Sequence, residues 1–218
     1  MHKNLLNLQE IKKEIYLKKK SETQKVNIIA VSKTFSMDHI IPLIESGHCH
    51  FGENKVQEAD LKWTEVLANN KDINLHMLGK LQSNKVKQAV KLFDYIHSLD
   101  SLKLAKKISL EQEKINKRLK LFIQLNIDGE DQKSGISVNE LKDFHECLVY
   151  EMKMNIIGLM CIPSIHSNKK IVYDKMSSLR KKFGLQELSM GMSSDYIEAV
   201  EFGSTFVRIG SKIFGKRI

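Results

Sequence analysis

Short apolar runs alternate with amphipathic stretches along the whole chain. Leu5, Leu8, Ile11, Ile15 and Tyr16 recur at helical spacing with lysines between them, which predicts a leading helix over residues 1–20. Residues 26–32 then form a β-branched run of strand length that delivers Lys33 at its C-terminal end. A helix over 39–45 closes at Gly47, and Pro42 inside it predicts a kink or a later start. Further strands are expected at 48–51, 74–79, 95–99, 119–127 and 154–162. Helices are expected up to about Asn69, over 83–93 with Ser83 as its cap, over 101–116, over 137–150, and from the polar loop 164–170 to about Phe183. Two last apolar runs, 187–191 and 205–210, each stop at a glycine and flank a short helix over 194–202. Strands alternating with helices imply parallel βαβ units, and a count of eight favours a closed barrel over an open sheet. The expected architecture is α/β: one domain over residues 1–218, a (β/α)8 TIM barrel with an extra N-terminal helix.

Composition changes this picture little. The 218 residues are 42% hydrophobic and 28% charged, as in an ordinary globular chain. No apolar run approaches the ~20 residues that span a bilayer, and Met1–Leu5 lacks a signal-peptide core, so a cytoplasmic protein without a membrane partner is expected. Cys49, Cys147 and Cys161 show no CxxC spacing, which argues for a reducing compartment and against a zinc or disulfide framework. The net charge of +9 comes from scattered lysines, a solvated surface rather than a nucleic-acid site.

Candidate chemistry in such a barrel comes from the C-terminal ends of the strands. Those ends offer Lys33, Asn54, His76, Lys80, Asn84, Met160, Ser189, Ser193, Arg208, Gly210 and Ser211. Strands seven and eight end in glycine and serine, whose backbone N–H groups can cradle a phosphate without a lysine. Lys33, partly desolvated at the end of an apolar strand, can attack a carbonyl; a lysine snorkelling from the rim fits its position equally well. The phosphate-type ends tilt this toward a nucleophilic lysine facing a phosphate cradle, the arrangement that a phosphorylated aldehyde, pyridoxal 5′-phosphate, requires. Arg208 shares a strand face with Phe206 and Gly210, opposite Val207 and Ile209. Facing the barrel mouth, it would donate to the pyridine nitrogen, keep that nitrogen unprotonated and make the ring a poor electron sink, against transamination. The bland alternative ties Arg208 to a carboxylate. Other signals read as structural: His48 and His50 as strand packing rather than metal ligands, His76 as a satisfied core or rim histidine, Glu53 as the partner of a nearby lysine, Lys133 and Lys216–Arg217 as surface charge, and Cys161 as unactivated.

Several motifs occur in order: Ala30-Val31-Ser32-Lys33-Thr34, Phe51-Gly52-Glu53-Asn54 running on to Glu58, His76 through Lys85, the loop 131–135, Gly158-Leu159-Met160, and residues 188–193 and 203–215. With them, from Val26 to Gly215, the chain resembles the YggS/PROSC family of pyridoxal phosphate-binding proteins, whose fold is similar to the alanine racemase N-terminal domain. The resemblance implies that Lys33 carries the cofactor as a Schiff base and that Arg208 meets the pyridine nitrogen. It implies that Ser193, Gly210 and Ser211 hold the phosphate, with Asn54 and Met190 near the cofactor. Ser211 stands where many relatives have threonine, which keeps the hydroxyl, and the shorter region 163–170 suggests a more open rim. The implied role is to bind pyridoxal 5′-phosphate in vitamin B6 and amino-acid homeostasis without robust catalysis, with pyridoxal phosphate-dependent apo-enzymes as candidate transient partners. The alternative is a weak racemase or lyase. Alanine racemase needs a second base, a tyrosine from another subunit's additional domain; this chain ends at Ile218, so efficient racemisation is not expected. A barrel complete in one chain makes a monomer the expected state.

Overall fold

The computed structural model describes residues 2–130 and 132–215, so Asp131 and the Lys216–Arg217 pair lie outside the described residues. Eight parallel strands close into a barrel in chain order. They are β1 (Asn27–Val31), β2 (His50–Glu53), β3 (Asn74–Met77), β4 (Tyr95–Leu99), β5 (Lys120–Leu125), β6 (Ile156–Cys161), β7 (Glu187–Met192) and β8 (Phe206–Ile209). Closure is made where β1 pairs with β8, from Asn27 opposite Phe206 to Ala30 opposite Ile209. The alternation of each strand divides the apolar residues between two layers. Ile29, Val31, Leu78, Tyr95, Phe122, Met160 and Phe206 fill the interior. Ala30, Leu75, Ile96, Leu121, Leu159, Leu188 and Val207 instead belong to the larger core that the helices share.

The helices are α1 (Lys3–Lys18), α2 (Met37–Glu45), α3 (Val56–Asn69), α4 (Val86–Leu92), α5 (Leu102–Lys114), α6 (Leu141–Glu146), α7 (Lys169–Lys182), α8 (Tyr196–Glu201) and the single turn α9 (Ser211–Phe214). The leading helix α1 buries Leu8, Ile11 and Ile15 and packs against α2, α8 and α9. Polar side chains fix its position: Asn4 donates to the His39 carbonyl and Asn7 to that of Ile213, while Lys212 Nζ lies 2.7 Å from Glu14.

Local differences from the sequence expectation have identifiable causes. Strand β2 runs two residues further than the apolar run suggests, because Glu53 is buried by partners from other elements. Helix α2 starts at Met37, so Pro42 sits inside it. Ser83 opens a 3₁₀ turn rather than capping a helix, and its carbonyl accepts from Lys107. The stretch expected as one helix over 137–150 opens with a reciprocal Ser137–Glu140 capping box, continues as α6, and finishes in a π-helical turn over Cys147–Glu151.

Gly191 is the backbone pivot of β7. Its φ is +89°, and a Cβ there would lie 2.5 Å from the Ala199 Cβ and 3.0 Å from the Tyr196 Cα. Gly191→Ala is therefore expected to destabilise by about 1–3 kcal/mol through overpacking at a backbone conformation unsuited to alanine. Urea unfolding checks this, and unchanged stability would contradict it.

Candidate functional site

The C-terminal ends of β1, β2, β7 and β8 surround a cavity of about 410 Å³. Lys33 reaches it because the inward alternation of Ile29 and Val31 continues past the end of β1. The peptide around Lys33 is gripped on both sides. Ser32 Oγ donates to Glu53 Oε1 at 2.8 Å, and the Ser32 carbonyl accepts from Lys62 Nζ at 2.9 Å. The Thr34 N–H donates to Glu58 Oε1 at 2.6 Å, and Thr34 has φ +68°, a strained value for a β-branched residue that its surroundings must enforce. Glu53 itself is fully buried and also accepts from Lys62 Nζ at 2.9 Å and Trp63 Nε1 at 3.0 Å. The lysine partner expected for Glu53 is thus Lys62.

Asn54 lines the same cavity just past β2. Gly79 makes this placement possible, since a Cβ on residue 79 would come within 2.2 Å of the Asn54 carbonyl oxygen. Opposite, the backbone N–H groups of Gly210 and Lys212 converge on Ser193 Oγ at 3.2 and 3.4 Å. Asp195, bonded to the Met192 N–H at 2.6 Å and paired with Lys169 at 2.7 Å, stiffens the turn that carries Ser193. Ser211 completes this side of the lining.

Arg208 sits between these groups, 5% exposed. Its NH1 donates to Ser189 Oγ at 2.7 Å and its NH2 to the Cys161 carbonyl at 2.8 Å. Both acceptors are neutral, so the carboxylate tie is not what holds it. Burial pushes its pKa down from the usual arginine value, while the acidic groups of Cys161, Tyr173 and Asp195 oppose that shift.

The structure thus brings Lys33, Asn54, Ser193, Arg208, Gly210 and Ser211 to one cavity. Met190 is the exception and does not line it. Its side chain is fully buried in the core between barrel and helices, while Ser189 points inward to Arg208 and Met192 lines the mouth. Lys80 and Asn84 are exposed outside the cavity, and Met160 packs in the interior. Lys133 pairs with Asp128 at 3.5 Å and Glu130 at 3.3 Å. Burial raises the Cys161 thiol to about 12, which keeps it un-ionised and unreactive. His48 bonds the His50 carbonyl, and His76 is fully buried between His50 and His97. Sequence reading did not connect His97 or Ser189 to Arg208, although each occupies an inward strand position. It also passed over Phe35, Met192 and Ser194 in the lining.

Comparison with known proteins shows the family and the fold. The family described as alanine racemase, N-terminal domain, matches residues 6–217. The chain is 36% identical over 202 residues to a protein of Synechocystis named pyridoxal phosphate homeostasis protein, an alignment covering 88% of this chain and 92% of that one. It is also similar to the solved structure of PipY from Synechococcus elongatus PCC7942 with pyridoxal phosphate bound: 32% identity, a TM-score of 0.83, and coverage of 97% of this chain and 100% of that chain. An alanine racemase of Clostridium difficile 630 shares the fold at 16% identity and a TM-score of 0.73, covering 98% of this chain and 59% or less of the racemase, 56% in that superposition. A chain whose whole barrel matches in this way belongs to the YggS/PROSC family, the pyridoxal phosphate homeostasis proteins built on the alanine racemase N-terminal domain.

Proposed function

We propose that the protein holds pyridoxal 5′-phosphate in the barrel mouth and acts in its homeostasis rather than in turnover. The observation that carries this reading is the donor set. One cavity is lined by an amine, a guanidinium and the hydroxyls of Ser193, Ser194 and Ser211, and the rest of its wall includes the apolar Val31, Phe35, Leu78, Ile162 and Met192. Such a set complements a flat ring that bears an aldehyde, an acceptor nitrogen and a dianionic phosphate. When bound, the cofactor supplies the electrophilic aldehyde. Lys33 would be the amine that holds the cofactor through that aldehyde. Ser193, Ser211 and the backbone at Gly210 would receive the phosphate, and Arg208, which stays protonated, would donate to the ring nitrogen. Asn54 lies close enough to the mouth to orient the ring.

The same lining supports a carrier. Beyond Lys33 and Arg208, its side chains are amide, hydroxyl, thioether, aromatic or aliphatic groups that exchange no proton near neutral pH, so a second proton-transfer group is not among them. Turnover of alanine or serine enantiomers well above a Lys33→Ala control would favour the weak racemase or lyase instead. We further propose a cytoplasmic monomer that passes the cofactor transiently to apo-enzymes; no described helix is long and apolar enough to cross a membrane.

Titration with pyridoxal phosphate, followed by visible absorption, tests the reading. Wild type is expected to develop a saturable band that Lys33→Ala lacks. No band in wild type would overturn the cofactor reading, and an equal band in the variant would move the carrier lysine elsewhere.

A further inference from the structure

Below the cofactor mouth the interior of a barrel is ordinarily filled by branched apolar side chains. Here a file of polar groups crosses it. His50 on β2, His76 on β3 and His97 on β4 occupy inward positions, and the last two are fully buried. Nδ1 of His50 lies 2.9 Å from Nε2 of His76, and Nδ1 of His76 lies 2.9 Å from Nε2 of His97. Nδ1 of His97 lies 2.8 Å from Ser189 Oγ, which lies 2.7 Å from Arg208 NH1. Aromatic rings enclose the file: His76 stacks on Tyr95 at 4.1 Å, His97 on Phe122 at 4.2 Å, and Phe206 meets all three imidazoles edge-on or tilted.

The direction of every hydrogen bond in this file follows from its ends. Arginine has donors only, so Ser189 Oγ accepts from Arg208. The serine proton then has one partner in reach, Nδ1 of His97; were His97 to donate instead, a buried hydroxyl hydrogen would lose its acceptor. The opposite polarity would also aim the His97 N–H dipole at the guanidinium charge. With Nδ1 of His97 accepting, its proton lies on Nε2 and is donated to Nδ1 of His76, and the same logic passes on to His50. Burial holds His76 and His97 well below their ordinary pKa, with Arg208 adding to the effect on His97, so the rings are neutral and able to take this role. At the far end Lys120 stands at the exposed start of β5, with its Nζ on the Tyr95 hydroxyl at 2.8 Å.

We propose that His97 and His76, acting through Ser189, are positioning residues for Arg208: a file of one polarity, each ring protonated on Nε2 and accepting on Nδ1, keeps the serine lone pairs turned to the guanidinium. The negative ends of all its dipoles face the cation, which helps to account for a buried arginine whose two hydrogen bonds go to neutral acceptors. A carboxylate at this point would neutralise Arg208; the file anchors it and leaves its charge whole. Only the consequence for the ring nitrogen rests on the pyridoxal phosphate reading.

The test has one arm that needs no cofactor. Side-chain ¹⁵N spectra of the full-length protein at pH 7.5, with each ring assigned from a single-site variant, are expected to show His50, His76 and His97 protonated on Nε2 and bare on Nδ1. An Nδ1–H form at His76 or His97 would overturn the proposal. The second arm compares His97→Leu, which removes the acceptor, with His97→Asn, whose Oδ1 falls near the Nδ1 position. With pyridoxal phosphate added, the pH midpoint of the visible spectrum is expected to move by about one unit in His97→Leu and to return toward wild type in His97→Asn. An unmoved midpoint in a folded His97→Leu would overturn the positioning role. Failure of wild type to bind the cofactor would overturn the function proposed above while the ¹⁵N result still decides the polarity of the file.

Discussion

Lowering the pH from 7.5 to 5 is expected to remove up to about 6 kcal/mol of folding stability. Three fully or nearly fully buried histidines carry the effect. Burial lowers His48 to about 4, assisted by the Lys12 charge and opposed by its bond to the His50 carbonyl, and it takes His76 and His97 well below the ordinary value. In the unfolded chain each titrates near 6.5. A group whose folded pKa is depressed in this way contributes stability in full above the unfolded value. That stability is lost as the pH falls below about 6.5, because only the unfolded chain then takes up the proton. At pH 5, about 1.5 units below the unfolded pKa, each histidine that stays neutral in the folded protein costs about 2 kcal/mol. A domain at the low end of the usual 5–15 kcal/mol would be brought to its midpoint. Half-buried His50, lowered to about 4 by burial and by Lys120, adds in the same direction. Urea unfolding from pH 7.5 to 4.5 checks the slope; a flat profile would mean that the rings are charged, or already solvated, in the native state.

Glu53→Ala is expected to cost about 3–5 kcal/mol, the loss typical of breaking a buried ion pair from one side. The carboxylate is fully buried, and one of its oxygens gathers Ser32 Oγ, Lys62 Nζ and Trp63 Nε1 within 3.0 Å. Truncation leaves Lys62, whose side chain is 11% exposed, with only Glu58 at 3.4 Å and the Ser32 carbonyl. Replacing both partners by apolar residues, Glu53→Leu with Lys62→Met, is expected to recover most of the loss, since no charge then remains buried. Chemical denaturation of the single and double variants checks this. A single variant within about 0.5 kcal/mol of wild type would show that the cluster contributes no net stability. Because Ser32 precedes Lys33, the single variant is also expected to weaken cofactor retention.

The barrel was legible because its signal is local. Runs such as 119–127 and 154–162 are long, apolar and closed by Asp128-Gly129 and by Pro163, and the strands found inside them, Lys120–Leu125 and Ile156–Cys161, are trimmed only at their ends. Lys33 and Arg208 were legible for the same reason, as charges that apolar strands carry to their C-terminal ends. What stayed hidden depends on partners far apart in sequence. Glu53 reads as the partner of a nearby lysine, but its full burial shows only once Ser32, Lys62 and Trp63 are seen around it. The histidines come together only through barrel register, which sets His50 opposite Asn74 and Gly52 opposite His76 on neighbouring strands. The placement of Met190 is legible from alternation: an inward Ser189 turns it outward, and the positive φ of Gly191 then lets Met192 re-enter the mouth.

Borohydride reduction of the protein after incubation with pyridoxal phosphate, followed by peptide mapping, tests the central claim most directly. The account predicts one stoichiometric pyridoxyl adduct, on the peptide that contains Lys33. An adduct confined to another lysine, such as Lys133 or Lys80, or no adduct at all, would contradict it.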